Sequence, residues 1–172
     1  MVTINKLIES DKIIFLKTEV KDVDEIISIE SQKENSNFIF SWPKERHIEA
    51  INNPNELHVT IRDKERDSII GYVLLSGIGD THGSIEFRRI AIKEKGRGYG
   101  RESIKLIKRL AFEEEKCHRL WLDVYDDNYK ALNLYLSKKF RIEGVLRESR
   151  KGQNGYRSMI VMSILETEYE PC

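Results

Sequence analysis

Residues 90–100 read Ile-Ala-Ile-Lys-Glu-Lys-Gly-Arg-Gly-Tyr-Gly. A short apolar run of strand type, Ile90, Ala91 and Ile92, leads straight into a glycine-dense turn. The turn opens a pattern in which Ile104, Ile107 and Ala111 share one face with Leu106 and Leu110 beside them, as an amphipathic helix requires. A helix N-terminus leaves backbone N–H groups without partners and carries the positive end of a dipole, so it can hold an anion. Glycines there permit positive φ and let a phosphate approach the backbone. The stretch reads as a phosphate-binding turn, with a plain loop between core elements as the alternative.

Around it lies a chain of 172 residues, which fits one domain able to bury a core without staples. Lys+Arg and Asp+Glu both number 29, so the balanced charge gives no electrostatic footprint for nucleic acid. No apolar run approaches the ~20 residues of a membrane span. The first ten residues show no basic leader followed by a long apolar core, so no secretory signal is expected. The two cysteines, Cys117 and Cys172, suit a reduced compartment, and the cytoplasm is the expected location.

Taken in order, the chain predicts a strand near residues 13–16 and a helix on Val23, Ile26 and Ile27. Residues 33–55 are irregular and rich in aromatics (Phe38, Phe40, Trp42), with a short helix after Pro43 ending near Asn52. Three strand-like runs follow, around residues 57–61, 69–75 and 85–92, joined by turns short enough for antiparallel hairpins. The glycine turn opens a helix to about Lys116. Leu120, Leu122 and Val124 then alternate with polar residues as a strand, and Asp126-Asp127-Asn128 can cap a helix to about Lys139. A hairpin turning at Gln153-Asn154-Gly155 closes the chain. The expected fold class is α/β (α+β): a mixed, mostly antiparallel sheet with helices on both faces, without the alternation of a doubly wound dinucleotide domain.

Several residues have two readings each. Gly96-x-Gly98-x-Gly100 approaches a dinucleotide fingerprint, but counted from Gly98 the third glycine position holds Ser103, although Asp123 lies about the right distance onward. A P-loop is excluded, because no Gly-Lys-Ser/Thr ends the turn. Asn128, Ala131 and Tyr135 share a helix face. Asn128 could simply be an N-cap and Tyr135 a core aromatic. Strict alternation puts Glu86, Arg88 and Ile90 on one side of their strand and Phe87, Arg89 and Ala91 on the other. From the residues alone, Glu86 reads as a solvent-facing partner of a neighbouring arginine. His47, His58, His82 and His118 show no metal-ligand spacing, so no metal is assigned. Cys117 is expected to be buried or inert.

Together these motifs resemble the GNAT superfamily of N-acetyltransferases, from about Ile13 to Leu165. The family's acyl-CoA signature fits Lys95-Gly96-Arg97-Gly98-Tyr99-Gly100, with Lys95 replacing the usual Gln or Arg. Its downstream pattern fits Asn128, Ala131, Tyr135 and Phe140, with Lys139 where a glycine is expected. Within the superfamily the chain is similar to the branch of ribosomal-protein-alanine and spermidine N-acetyltransferases.

The resemblance implies one acyl-CoA N-acyltransferase domain over residues 1–172, moving an acetyl group from acetyl-CoA to a primary amine by direct attack. Backbone N–H groups of Gly96, Arg97, Gly98, Tyr99, Gly100 and Arg101 would hold the pyrophosphate, with Lys95 a further cofactor-binding residue. Ile90, Ala91 and Ile92 would run beside the pantetheine arm, and Asn128 and Ala131 would bind near it. Tyr135 would protonate the departing thiolate and Glu86 would accept the amine's proton. The partners are acetyl-CoA and an amine acceptor (small molecule, polyamine or peptide N-terminus), with no nucleic acid or membrane; a homodimer is compatible. A non-catalytic acyl-CoA sensor and a nicotinamide-dependent oxidoreductase are the alternatives.

Overall fold

A computed structural model describes residues 5–171; Cys172 lies outside the described residues. Its strands are β1 (Lys6–Glu9), β2 (Ile13–Lys17), β3 (Glu56–Asp63), β4 (Ser68–Ser76), β5 (Ser84–Ile92), β6 (Arg119–Tyr125), β7 (Arg141–Gly152) and β8 (Gly155–Leu165). They form an eight-stranded sheet in the order β1-β2-β3-β4-β5-β6-β8-β7. Neighbours pair antiparallel except β5 and β6, which are parallel. The helices are α1 (Val23–Glu30), α2 (Lys33–Ser36), α3 (Lys44–Asn52), α4 (Tyr99–Arg109) and α5 (Tyr129–Ser137). This is the mixed, mostly antiparallel sheet that the hairpin-length turns predict. Strand β1 was not expected: Leu7 and Ile8 are too few to show a period, and they form an edge against β2.

β4 is buried along both faces, as its unbroken apolar run requires of a central strand. On one face Ile70, Val73 and Leu75 join the larger core with Ile104 and Ile107 of α4. On the other, Tyr72 and Leu74 pack with Ile26 and Ile29 of α1, Ala50 of α3, and Ala91. Helix α4 is regular only to Arg109; Leu110–Glu114 continues it as a π turn, so the regular helix stops short of Lys116.

Two local features shape the site. β5 pairs with β6 only through Ser84, Ile85 and Glu86, opposite Arg119, Leu120 and Trp121. Beyond that point the two strands part and leave one edge of β5 open. In addition, Leu74 opposes Arg89 while Leu75 opposes Phe87, so Arg88 is a bulge residue. The bulge overturns strict alternation. Phe87, Ile90 and Ile92 all face the larger core, whereas Arg89 and Ala91 face α1. Glu86 and Ile90, expected on the same side, lie on opposite faces.

Candidate active site

The parting of β5 and β6 opens a cavity of about 1170 Å³. Glu86, Ile90, Ile92, Lys95, Gly96 and Gly98 line it, as do Tyr99, Gly100, Arg101, Asn128, Ala131 and Tyr135. Two of the residues singled out from sequence do not. Ala91 is buried in the core on the other face of β5. Arg97 pairs its side chain with Glu94 at 3.1 Å, and its carbonyl accepts from Lys12 Nζ.

One end of the cavity is main chain. Gly96 and Gly98 have φ of 77° and 78°, which an L side chain adopts only under strain. The first bond of α4 is Glu102 N–H to Gly98 O. Ahead of it, the N–H groups of residues 96–101 meet no acceptor among the described residues. A run of unpartnered N–H groups at the positive end of an eleven-residue helix is a cradle for an anion.

The side chains of this turn hold it in place. Lys95 Nζ donates to Asn35 Oδ1 at 2.7 Å, and Asn35 in turn donates to the carbonyls of Ile29 and Ile92. Burial lowers the Lys95 pKa. Tyr99 OH donates to Asp63 at 2.5 Å and accepts from Arg66 at 2.6 Å. Lys95 and Tyr99 can therefore serve an anion only through their main chain. At Gly100 an added Cβ would make only ordinary contact with the Leu134 side chain, at 3.6 Å.

Asn128 caps α5: its Oδ1 accepts from Ala131 N–H at 3.3 Å. The capping role is thus present, on a residue that also lines the cavity. Tyr135 is buried, with Phe87 and Phe140 edge-on at 5.8 and 5.9 Å. Its hydroxyl has no hydrogen-bond partner among the described residues, and burial raises its pKa, so the group stays protonated. After α5 the Lys139 N–H bonds Leu136 O and the Phe140 N–H bonds Tyr135 O, a Schellman ending with Lys139 at φ 73°. The left-handed turn a glycine would favour is formed with lysine in its place.

The other end of the cavity is built from charged side chains. Burial pushes the Glu86 pKa up; Arg88 opposes the shift and Asp123 adds to it. Arg150, on β7, reaches Asp123 at 3.5 Å. Phe38, Phe40 and Trp42, from the irregular aromatic segment, line the cavity, and Trp42 also packs at the edge of the smaller core. Trp42 also takes the guanidinium groups of Arg89 and Arg46 over its ring at 3.9 and 4.2 Å.

Behind that wall lies a buried polar chain that sequence reading missed. Glu30 has a fully buried side chain and accepts from Arg89 at 3.2 Å, from His47 at 3.2 Å, and from the Tyr72 hydroxyl. His47 Nδ1 meets His58 Nε2 at 2.9 Å, His58 Nδ1 meets Thr18 at 2.8 Å, and Thr18 meets Thr60 at 2.9 Å. A carboxylate only accepts, so His47 Nε2 is a donor. His47 Nδ1 and His58 Nε2 share one proton, and the direction of the chain onward through Thr18 to Thr60 follows whichever ring carries it. Burial alone would raise the Glu30 pKa, but the His47 and Tyr72 hydrogen bonds bring it below the ordinary value. Arg89 links this network to the cavity wall, since it also donates to the Phe40 carbonyl at 2.6 Å. The available signal was phase: Glu30 lies seven residues after Val23, on the apolar stripe of α1.

Cys117 is buried, and burial pushes its thiol up to about 12, which leaves it inert. Among the described residues no cluster of His, Cys, Asp and Glu could hold a metal ion, and no helix is long and apolar enough to cross a membrane.

Comparison with known proteins adds the following. Residues 24–140 match the model of the acetyltransferase (GNAT) family. A spermidine N(1)-acetyltransferase of Vibrio cholerae is 30% identical over 131 residues, 76% of this chain and 75% of that protein. One from Escherichia coli is 31% identical over 100 residues, covering 58% of this chain and 54% of the relative. The Vibrio cholerae spermidine N-acetyltransferase in complex with CoA and spermine superposes with a TM-score of 0.84 at 24% identity, over 93% of this chain and 99% of that one. A dodecameric structure of the Vibrio cholerae enzyme gives 0.79 at 25% identity, over 93% of this chain and 97% of its own.

Proposed function

From the premise that this chain belongs to the GNAT acetyltransferase family, and so is an N-acetyltransferase using acetyl-CoA, we propose how its residues divide the work and that residues 1–172 are one catalytic domain. The N–H groups of residues 96–101 bind the donor's pyrophosphate. The open edge of β5 at Ile90 and Ile92 lies beside the pantetheine arm, where a main-chain N–H polarises the thioester carbonyl. The observation that carries the assignment is the anion cradle at one end of a cavity whose other end holds a desolvated carboxylate.

A primary ammonium of pKa ~10.4 has no lone pair at neutral pH, so the reaction begins with loss of its proton. Glu86 accepts it, directly or through solvent; a raised carboxyl pKa suits that task. The amine nitrogen attacks the thioester carbon, the C–N bond forms, and the C–S bond breaks. Tyr135 gives its proton to the leaving thiolate and regains one through solvent. The products are an N-acetyl amide and CoA thiol. This role rests on the unpartnered, protonated hydroxyl, and the capping Asn128 orients the helix that carries it.

The acceptor is a small amine, polyamine or peptide N-terminus, and the relatives' spermidine activity supports including polyamines. Exposed Ile142, Val145 and Leu146 on the edge strand β7, with the dodecamer of the Vibrio cholerae enzyme, support self-association. The inert buried Cys117 is consistent with a cytoplasmic location.

The test is thiol release from acetyl-CoA with polyamines, amino acids, aminoglycosides and N-terminal peptides as acceptors. Glu86→Gln is expected to lower kcat/KM by about 10²-fold and to remove the acidic limb of the pH profile, which lies above the ordinary carboxylate range. Acetyl-CoA binding without thiol release from any amine would support the sensor alternative instead.

A further inference from the structure

Three of the acids near the acceptor end, Glu30, Asp123 and Glu56, can be matched with their cations. Glu30 is held by Arg89, and that guanidinium is only 12% exposed and also tied to Phe40 O. Asp123 is matched by Arg150 at 3.5 Å. Glu56 is gripped by Arg46 through two bonds, at 3.1 and 2.7 Å, and also accepts from Asn53. Arg88 then reaches the same carboxylate only at 3.5 Å. One carboxylate therefore serves two guanidinium groups, and Arg88, which also lies over the Trp42 ring at 5.7 Å, has no carboxylate of its own among these three. Its side chain is 42% exposed and lines the cavity as the bulge residue two positions after Glu86.

Glu86 redresses that balance only while it is ionised, the form that Arg88 and Arg150 favour. It has no hydrogen-bond partner among the described residues, and its role as proton acceptor leaves it neutral once the amine is ready to attack. At that moment the surroundings of the reacting nitrogen carry Arg88 in excess, with Arg150 across the gap at 46% exposure and donors to spare. A second ammonium on the acceptor would face two guanidinium groups. A carboxylate there would gain charge-assisted hydrogen bonds from the same groups.

We infer, resting on the acetyl-transfer reading above but narrowing its range of acceptors to exclude polyamines, that the acceptor is a primary amine that also bears a carboxylate, an amino-acid-like zwitterion, with Arg88 as the group that recognises the carboxylate. The separation of roles along the bulged strand is direct: Glu86 handles the ammonium and Arg88 the anion. The wall of Phe38, Phe40 and Trp42 offers apolar contact to whatever joins the two ends.

The experiment compares kcat/KM across three chain-length-matched series: α- and ω-aminocarboxylates, their carboxamides, and the corresponding diamines with spermidine. Aminocarboxylates are expected to exceed their carboxamides by at least about tenfold, the worth of one charge-assisted contact, with the diamines lowest. Arg88→Gln should bring the carboxylate-to-carboxamide ratio close to one, and Arg88→Lys should restore part of it. A ratio within one protein is insensitive to how much of the variant folds. Diamines or carboxamides used as well as the aminocarboxylates, or a ratio untouched by Arg88→Gln, would overturn the inference and leave acetyl transfer standing. Thiol release with none of the series, nor with N-terminal tripeptides, would overturn the acetyl-transfer assignment and the inference with it.

Discussion

At the donor end of the cavity the groups available to a ligand are main-chain N–H groups, fixed by two glycines and a helix start, and one neutral hydroxyl on α5. At the acceptor end they are side chains: Glu86, Arg88, Asp123 and Arg150, backed by the buried Glu30, His47 and His58. Main-chain recognition depends on conformation, and few residues satisfy it, so it leaves a repeating mark in sequence. Side-chain recognition depends on what meets across the fold, and many residues can supply it. On the assignment proposed above, the donor end is thus the fixed half of the site and the acceptor end the adjustable one.

The largest expected effect separates chemistry from binding at the donor end. Tyr135→Phe keeps the edge-on packing with Phe87 and Phe140 and removes only the hydroxyl. Turnover should fall by about 10²- to 10³-fold, with the acetyl-CoA dissociation constant unchanged, as steady-state kinetics and calorimetry would show. Unchanged turnover would break the assignment of the hydroxyl as proton donor.

Next comes the support behind the acceptor end. Glu30→Gln leaves Arg89 without its counter-ion and should cost about 3 kcal/mol in denaturant unfolding. Because Arg89 holds the Phe40 carbonyl, the acceptor KM should rise while that for acetyl-CoA stays within about twofold. Equal damage to both would mean that the two ends are not independent.

A smaller effect is a pH dependence of stability. His58 is faced by His47, Glu30 and Tyr72. Burial first, and then the charge of His47, lowers its pKa to about 3. The unfolded chain takes up that proton near pH 6.5 and the folded chain does not until about 3. Stability is therefore complete above pH 6.5 and falls as pH drops, by about 1.4 kcal/mol per unit. Denaturant unfolding should show about half of that loss from pH 7 to 6 and most of it from pH 6 to 5, and His58→Gln should flatten the change. The Glu30 carboxyl titrates below its ordinary value, outside that interval.

These contrasts also explain what could be read from the chain alone. The glycine turn, the α5 face and the sheet class were legible because each follows a local period or a conformational demand. Glu86 was legible as a residue but not in its facing, because the bulge at Arg88 is set by pairing with β4 and leaves no local signature. His47 and His58 were read only for metal spacing. Their real neighbours lie on α1, β2 and β4, and no spacing along the chain brings Glu30, Thr18 and Tyr72 together. Lys95, at a signature position, turned out to hold α2 through Asn35.

The smallest expected effect concerns the turn after α5, on the donor side. Lys139 sits at φ 73°, where Cβ crowding costs an L residue about 1 kcal/mol or more. Two Schellman hydrogen bonds and the Lys108 ammonium on the Lys138 carbonyl hold the turn regardless. Lys139→Gly relieves the crowding but adds freedom to the unfolded chain, which offsets about half of the gain. Net stabilisation should be about 0.5–1 kcal/mol, a rise of about 2 °C in Tm. Turnover should not change, since Tyr135 and Asn128 are held by packing and capping upstream of the turn. If Tm falls instead, the lysine side chain makes a compensating contact, and the donor end is less purely a matter of backbone conformation than the contrast with the acceptor end requires.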